Sequence, residues 1–289
     1  MRCRELLILA LLAADVHADD HTQALADHFY TNGEYYRAIT AYEELALFAT
    51  DDATKLRAAI RIAMSYHKGH QTADAVAHYR AAIELAHDPE LARTLRIQLA
   101  LARVETSFDA PGSEALDAIA AELAPSATDA FGRFELARIE GLAGRRDEAK
   151  RTLRAACATP SAVCSLEPAL TRALDREPDR RHPWLGVAFS AVLPGSGSLY
   201  GGHLVDGLYY FALTALPALG AYDVYDRSRA WTDQKVTFYG LAGVATVFYV
   251  TNLLSAYIAV SRHNAVTELE TRRTLWRETE TAMPLDNLP

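Results

Sequence analysis

The chain has 289 residues, half of them apolar, with a formal net charge of -8. That much apolar material is ample for a packed core, which excludes disorder as the default state. Residues 19–182 carry a net charge of -6, a poor match for phosphate backbones, so no nucleic acid partner is expected. Alanine is frequent while glycine and proline are sparse over the first 180 positions, which predicts an all-α protein.

The N-terminus reads as a signal peptide over 1–18: Arg2 and Arg4 form a basic lead, 6–14 an apolar stretch, and Val16-His17-Ala18 a small-x-small cleavage site. The alternative is an uncleaved anchor, but the apolar run is too short to cross roughly 30 Å of hydrocarbon as a helix. Cys3 precedes the apolar stretch, the wrong place for a lipidated cysteine. Export leaves Cys157 and Cys164, spaced for a disulfide across a helix-to-helix connection; the alternative is two small buried residues.

From 19 to 180 the sequence repeats. Leu25-Ala26, Phe29, Gly33, Ala38, Tyr42 and Leu45 return in type 37 residues later as Ile62-Ala63, Tyr66, His70, Ala75, Tyr79 and Ala82. After a further 74 residues come Leu136-Ala137, Glu140, Gly144, Ala149, Leu153 and Ala156. Between them, 93–124 keeps helical periodicity, with Asp109-Ala110-Pro111-Gly112-Ser113 in place of a compact turn, and reads as a degenerate third unit. Each helix carries one apolar stripe that only a neighbouring helix pair covers. The pattern resembles the tetratricopeptide repeat: small residues where paired helices approach, a glycine-like turn, then alanine and aromatic positions. The resemblance implies a helical solenoid that binds a protein partner in a groove, with His28, Tyr35, His67 and Arg103 as groove candidates against the alternative of ordinary surface or packing residues. The basic cluster Arg145, Arg146, Lys150, Arg151 and Arg154 is interleaved with Asp147 and Glu148 and reads as a solvated helix face.

Composition changes after Arg181, and 181–262 reads as a membrane module. Its parts are a re-entrant or interfacial segment at 184–200 and transmembrane helices at about 207–222 and 236–260. The junction Pro194-Gly195-Ser196-Gly197-Ser198-Leu199-Tyr200-Gly201-Gly202 resembles a Pro-Gly-x-Gly-Gln-x-Tyr-x-Gly motif of small bacterial two-helix membrane domains. Pro194, Gly195, Gly197, Tyr200 and Gly202 match it, while Ser198 stands where Gln is usual. No Lys-Ser/Thr follows, so this is not a nucleotide loop. His203 and Asp206 beside the break are functional candidates if they lie at membrane depth, and merely solvated if at an interface. The tail, 263–289, reads as an amphipathic helix lying on the membrane surface or on the repeats.

The predicted architecture is a tetratricopeptide-like helical solenoid followed by a transmembrane helical hairpin. The expected setting is the inner membrane of a Gram-negative bacterium, with the repeats on the periplasmic side, the hairpin in the bilayer and no cofactor. Arginines flank both sides of the hairpin, so charge leaves a two-pass and a three-pass arrangement open; export of the repeats favours two passes. The sequence has no serine-nucleophile elbow, His-Glu-x-x-His or Cys-His pairing of recognisable setting, so a binding adaptor is expected rather than an enzyme. The alternative is a component of an envelope transport or assembly machine whose membrane module is itself active.

Overall fold

The computed structural model describes residues 21–108, 112–227 and 235–281. The predicted signal peptide, Cys3, the Asp109-Ala110-Pro111 sequence, Arg229 and the tail beyond 281 lie outside the described residues, within which the chain is all-α with no strand. It divides into two compact units: one runs to Asp175 and includes the residues from Leu275 onward, and the other is Arg176–Thr274.

The first unit stacks helix pairs in chain order: α1 (21–31) with α2 (Tyr35–Phe48), α3 (Asp52–Lys68) with α4 (Thr72–Leu85), α5 (Pro89–Ser107) with α6 (Glu114–Leu123), and α7 (Ala130–Leu142) with α8 (Arg146–Ala156). A short helix, α9 (Glu167–Asp175), follows. Side chains start several of these helices. Asp51 accepts from the Thr54 amide, Asp88 from the Glu90 and Leu91 amides with Pro89 in the first turn, and Asp129 from the Gly132 amide.

The turns inside three pairs are alike. Gly33, His70 and Gly144, at 37- and 74-residue spacing, all have positive φ (77°, 59° and 84°). In each, the amide of that residue bonds the carbonyl three back, and the next amide bonds the carbonyl five back: Glu34 to Phe29, Gln71 to Tyr66, Arg145 to Glu140. This closes each first helix with a left-handed residue and satisfies its last carbonyls. The small residues of the pattern are buried where the paired helices meet: Ala26, Ala63 and Ala137, then Ala38, Ala75 and Ala149, are all fully inaccessible. Tyr42, Tyr79 and Leu153 fill the space beside them. Cys157 and Cys164 form a disulfide between the end of α8 and the turn before α9, with Cα atoms 5.5 Å apart.

The second unit begins with two short helices, α10 (Pro183–Val192) and α11 (Ser196–Tyr200). Two long ones follow, α12 (Leu204–Arg227) and α13 (Lys235–Glu278). Both long helices are apolar enough to cross a membrane, with mean hydropathy 1.3 and 1.6. Only 17% and 22% of their most apolar stretches are buried. Leu208, Leu216, Leu219, Val236, Val247 and Leu254 point outward, the arrangement of helices that meet lipid rather than a protein core. Gly220 lies against Leu241 and Tyr225 against Phe238, so α12 and α13 run antiparallel, compatible with a membrane-spanning hairpin.

Two boundaries differ from the sequence reading. The 207–222 span is the middle of a longer helix, and the 236–260 span does not end before the tail. No glycine or proline lies between Gly243 and Glu278, so nothing stops α13, which has 44 residues and a length of about 66 Å. The tail is therefore, as far as Glu278, the end of the last apolar helix, and its described residues from Leu275 onward belong to the first unit.

Candidate functional site

A 37-residue spacing gives one register along the first helix of each pair. Gln23, Asp27 and Tyr30 of α1 correspond to Ile60, Met64 and His67 of α3, to Ile97, Leu101 and Val104 of α5, and to Phe134, Arg138 and Gly141 of α7. The α3 and α5 members are buried, and polar chemistry gathers at the two ends of the row.

At the N-terminal end, Arg57 donates to Gln23 Oε1 at 3.1 Å, and Arg61 lies 4.0 Å from Asp27. The Tyr42 hydroxyl donates to Asp27 Oδ1 at 2.5 Å. Burial, together with the Asp27 carboxylate, pushes the Tyr42 phenol above its ordinary range, so it stays a neutral donor. Arg61 and Lys68 lie over the Tyr30 ring at 5.1 and 4.9 Å. This end sets cationic side chains and the Asp27 carboxylate around the buried Tyr30 ring.

At the other end, α7 buries an ion pair, Glu135 with Arg138, at 2.5 Å. The side chains are 0% and 2% exposed. The chain's own C-terminal segment covers them. Arg138 donates to Thr279 Oγ1 at 3.0 Å and to the Trp276 carbonyl at 3.2 Å, and its guanidinium lies 4.1 Å from the Trp276 ring centroid. Thr281 donates to Glu135 Oε1 at 2.5 Å. Leu275 is buried against Gly141, where a Cβ would meet it at 3.1 Å, and Trp276 tilts onto Phe108 at the end of α5. No signal in the sequence marked this site, because Glu135 and Arg138 look like surface charges on an amphipathic helix.

The four groove candidates are not brought together among the described residues. His28 is exposed on α1 and paired with Asn32 at 3.0 Å, and Tyr35 is half-buried at the start of α2, edge-on to Tyr30. His67 is not an exposed groove residue: at 4% exposure it lies between the Tyr79 hydroxyl and Glu105, each 3.4 Å away, because its register position faces neighbouring helices. Arg103 is tied to Glu122 of α6. In the basic cluster, Arg145 pairs with Asp117 and Glu148, and Lys150 with Asp175. No three His, Cys, Asp or Glu side chains form a set of metal ligands among the described residues.

The second unit has its own polar centre, at the glycine-rich junction. Pro194 separates α10 from α11, and Gly195 turns the chain at φ +87°. Asn252 of α13 holds that turn: its Oδ1 accepts from the Gly195 amide at 2.8 Å and from Ser190 Oγ at 3.3 Å, and its Nδ2 donates to the Ser190 carbonyl. Ser190 Oγ in turn accepts from the Gly197 amide at 2.9 Å. The backbones touch: a Cβ on Gly197 would lie 2.0 Å from the Gly186 carbonyl, and one on Gly195 2.0 Å from that of Gly207. The Ser198 hydroxyl is buried with no hydrogen-bond partner among the described residues.

Tyr200 stacks edge-on with Phe189, and its carbonyl accepts from the Arg181 guanidinium. Gly202 closes α11 at φ +88°. His203 is 3.8 Å from Asp206, both of them accessible. A pair of hydrogen bonds joins the Arg181 backbone to the Asn264 side chain, and Arg180 pairs with Glu268. Arginines, Asp206 and the exposed Trp184, tilted against Tyr257, thus collect at one end of the apolar helices, the distribution of a membrane interface.

Compared with family models, curated proteins and solved structures, the chain matches none of them.

Proposed function

We propose that the protein is a membrane-anchored adaptor whose helical repeats, of tetratricopeptide type, hold a protein partner while the α12–α13 hairpin fixes the complex in the bilayer. The observation that carries this reading is the pairing, in one chain, of a 37-residue helical repeat with an apolar hairpin whose side chains face outward. A stack of helix pairs offers an extended surface suited to peptide binding. In this reading the partner lies along the Arg57, Arg61 and Lys68 end, whose cationic side chains suit an acidic segment, and the protein is not an enzyme.

The repeats lie in the periplasm of a Gram-negative bacterium and the hairpin in its inner membrane. The leading segment with its cleavage pattern supports export, and the Cys157–Cys164 disulfide suits an oxidising compartment. Two passes are supported by Leu275: its burial in the repeat core requires an even number of crossings between Asp175 and the end of α13. The 10-residue α10, about 15 Å long, is too short to be a third.

A second reading, in which the membrane module works inside a transport or assembly machine, is favoured by the buried Asn252, Ser190 and Ser198 at the glycine junction. Polar groups at membrane depth are costly and accompany function. Affinity purification from gently solubilised native membranes separates the two, using the intact chain and a version with residues 181–262 replaced by an unrelated two-pass anchor. Retention of one specific partner by both supports the adaptor; retention by the intact chain alone supports the machine.

A further inference from the structure

The face of α7 that holds residues 275–281 has a composition unlike that of a permanent seal. A helix end that only closes a core needs apolar contact. Here Leu275 is the one buried apolar residue of the segment, half-buried Trp276 packs on Phe108, and the polar part of the contact is read by a buried ion pair. Arg138 spends its guanidinium on a hydroxyl, a main-chain carbonyl, an indole face and Glu135, while Glu135 takes a second hydroxyl from Thr281. A buried pair gives little net stability but demands partners in fixed places. Both groups are readily hydrated once uncovered, so the empty site is less costly than an exposed apolar one of the same size. This is the design of a recognition site that exchanges its occupant. It also lies in the same register as the Asp27 and Tyr30 end of the row.

We propose that the α7 face around Glu135 and Arg138 is a peptide-recognition site that keeps the chain's own Leu275–Thr281 segment as resident ligand. A partner peptide of like chemistry replaces it: a helical turn with an aliphatic-aromatic pair followed three residues later by a hydroxyl. Replacement frees the end of α13, the helix that also forms half of the apolar hairpin. The proposal rests on the adaptor reading and adds to it a control of occupancy: while the N-terminal end of the row holds one segment of the partner, the chain competes with a second segment for the α7 end.

The probe is a fluorescent synthetic peptide of residues 272–281, titrated by anisotropy against the full chain in nanodiscs. Trp276→Ala/Thr279→Ala in the chain disables the resident segment and is expected to raise affinity for the added peptide at least tenfold over the unsubstituted chain. Glu135→Leu/Arg138→Met replaces the ion pair by apolar side chains of similar volume, which keeps the fold without leaving a lone charge. Placed on the Trp276→Ala/Thr279→Ala background, it is expected to abolish binding, with an unchanged circular-dichroism melt as the check on folding. Equal binding by the unsubstituted and Trp276→Ala/Thr279→Ala chains, or binding that survives loss of the ion pair, overturns the proposal. A chain that recruits its partner through the N-terminal end yet ignores the peptide refutes this inference and leaves the adaptor reading standing. Peptide exchange at α7 in a chain that recruits no protein does the reverse.

Discussion

Gly197→Ala adds one methyl group and is expected to disassemble the apolar unit. The added Cβ would lie 2.0 Å from the Gly186 carbonyl, 2.6 Å from the Ala256 Cβ and 2.6 Å from Ser190 Oγ. Two of these three neighbours cannot swing aside, since one is backbone and the other a Cβ fixed to α13. The helices must part by more than about 1 Å, which forfeits a quarter to a half of the dispersion attraction across the seam. Parting also strains the Gly197-to-Ser190 and Gly195-to-Asn252 hydrogen bonds, of 2.9 and 2.8 Å, in a setting with little water to replace them. Overpacking at roughly 1–3 kcal/mol and an unmade buried hydrogen bond at roughly 1–3 kcal/mol give about 2–6 kcal/mol in all. Gly243→Ala is the control, because nothing lies within 4 Å of its Cβ. The assay is titration with a denaturing detergent, followed by protease cleavage near Gly195 in membrane-reconstituted protein. The junction argument predicts a much earlier transition for Gly197→Ala and none of that shift for Gly243→Ala. Equal transitions for the two variants would refute the tight backbone approach.

His70→Gly should stabilise the repeat unit by about 1 kcal/mol, since His70 is the one non-glycine residue with positive φ among the described residues; thermal melts of the two proteins read the gain directly. Reduction of the Cys157–Cys164 disulfide, which closes a short loop, should cost about 2 kcal/mol, seen as a lower melting midpoint with reductant that a Cys157→Ser/Cys164→Ser variant does not show. Burial holds the Glu140 carboxyl above the ordinary carboxylate range, against the pull of Thr152 and Arg145, so ionising it works against the fold. Its folded pKa being raised, the stability it contributes is complete below the unfolded carboxyl's range and is lost as pH rises through the folded value. Glu140→Gln should therefore raise the melting midpoint near neutral pH, with the gain vanishing in acid.

The pairing of the helices was legible because its signal is one of size at fixed spacing. Ala38, Ala75 and Ala149 are small because another helix occupies the space a larger side chain would need, a constraint shared by the first, second and fourth pairs. The turn position was legible for the same reason, even though His70 stands where its equivalents are glycine. The apolar helices announced themselves by length, but not their ends: α13 runs on through Glu278 because helix propensity continues past the point where hydropathy falls. His67 reads as a groove residue in the sequence and is buried in the fold, because a polar side chain on an amphipathic helix is ambiguous until the neighbours across it, Tyr79 and Glu105, are known. The Glu135–Arg138 site was invisible for a deeper reason. A salt-bridged pair three residues apart is the ordinary signature of a solvated helix face, and only the return of the chain 138 residues after Arg138 turns it into an interior.

The most direct test of the account places tags and single protease sites in the repeats, in the loop between Arg227 and Lys235, and after Thr281, in spheroplasts of a Gram-negative host. Cleavage of the repeats and the C-terminal end from outside, with the loop protected, is the predicted result. Protection of the C-terminal end alone, or access to the loop with the repeats shielded, would contradict the account of exported repeats anchored by a two-pass hairpin.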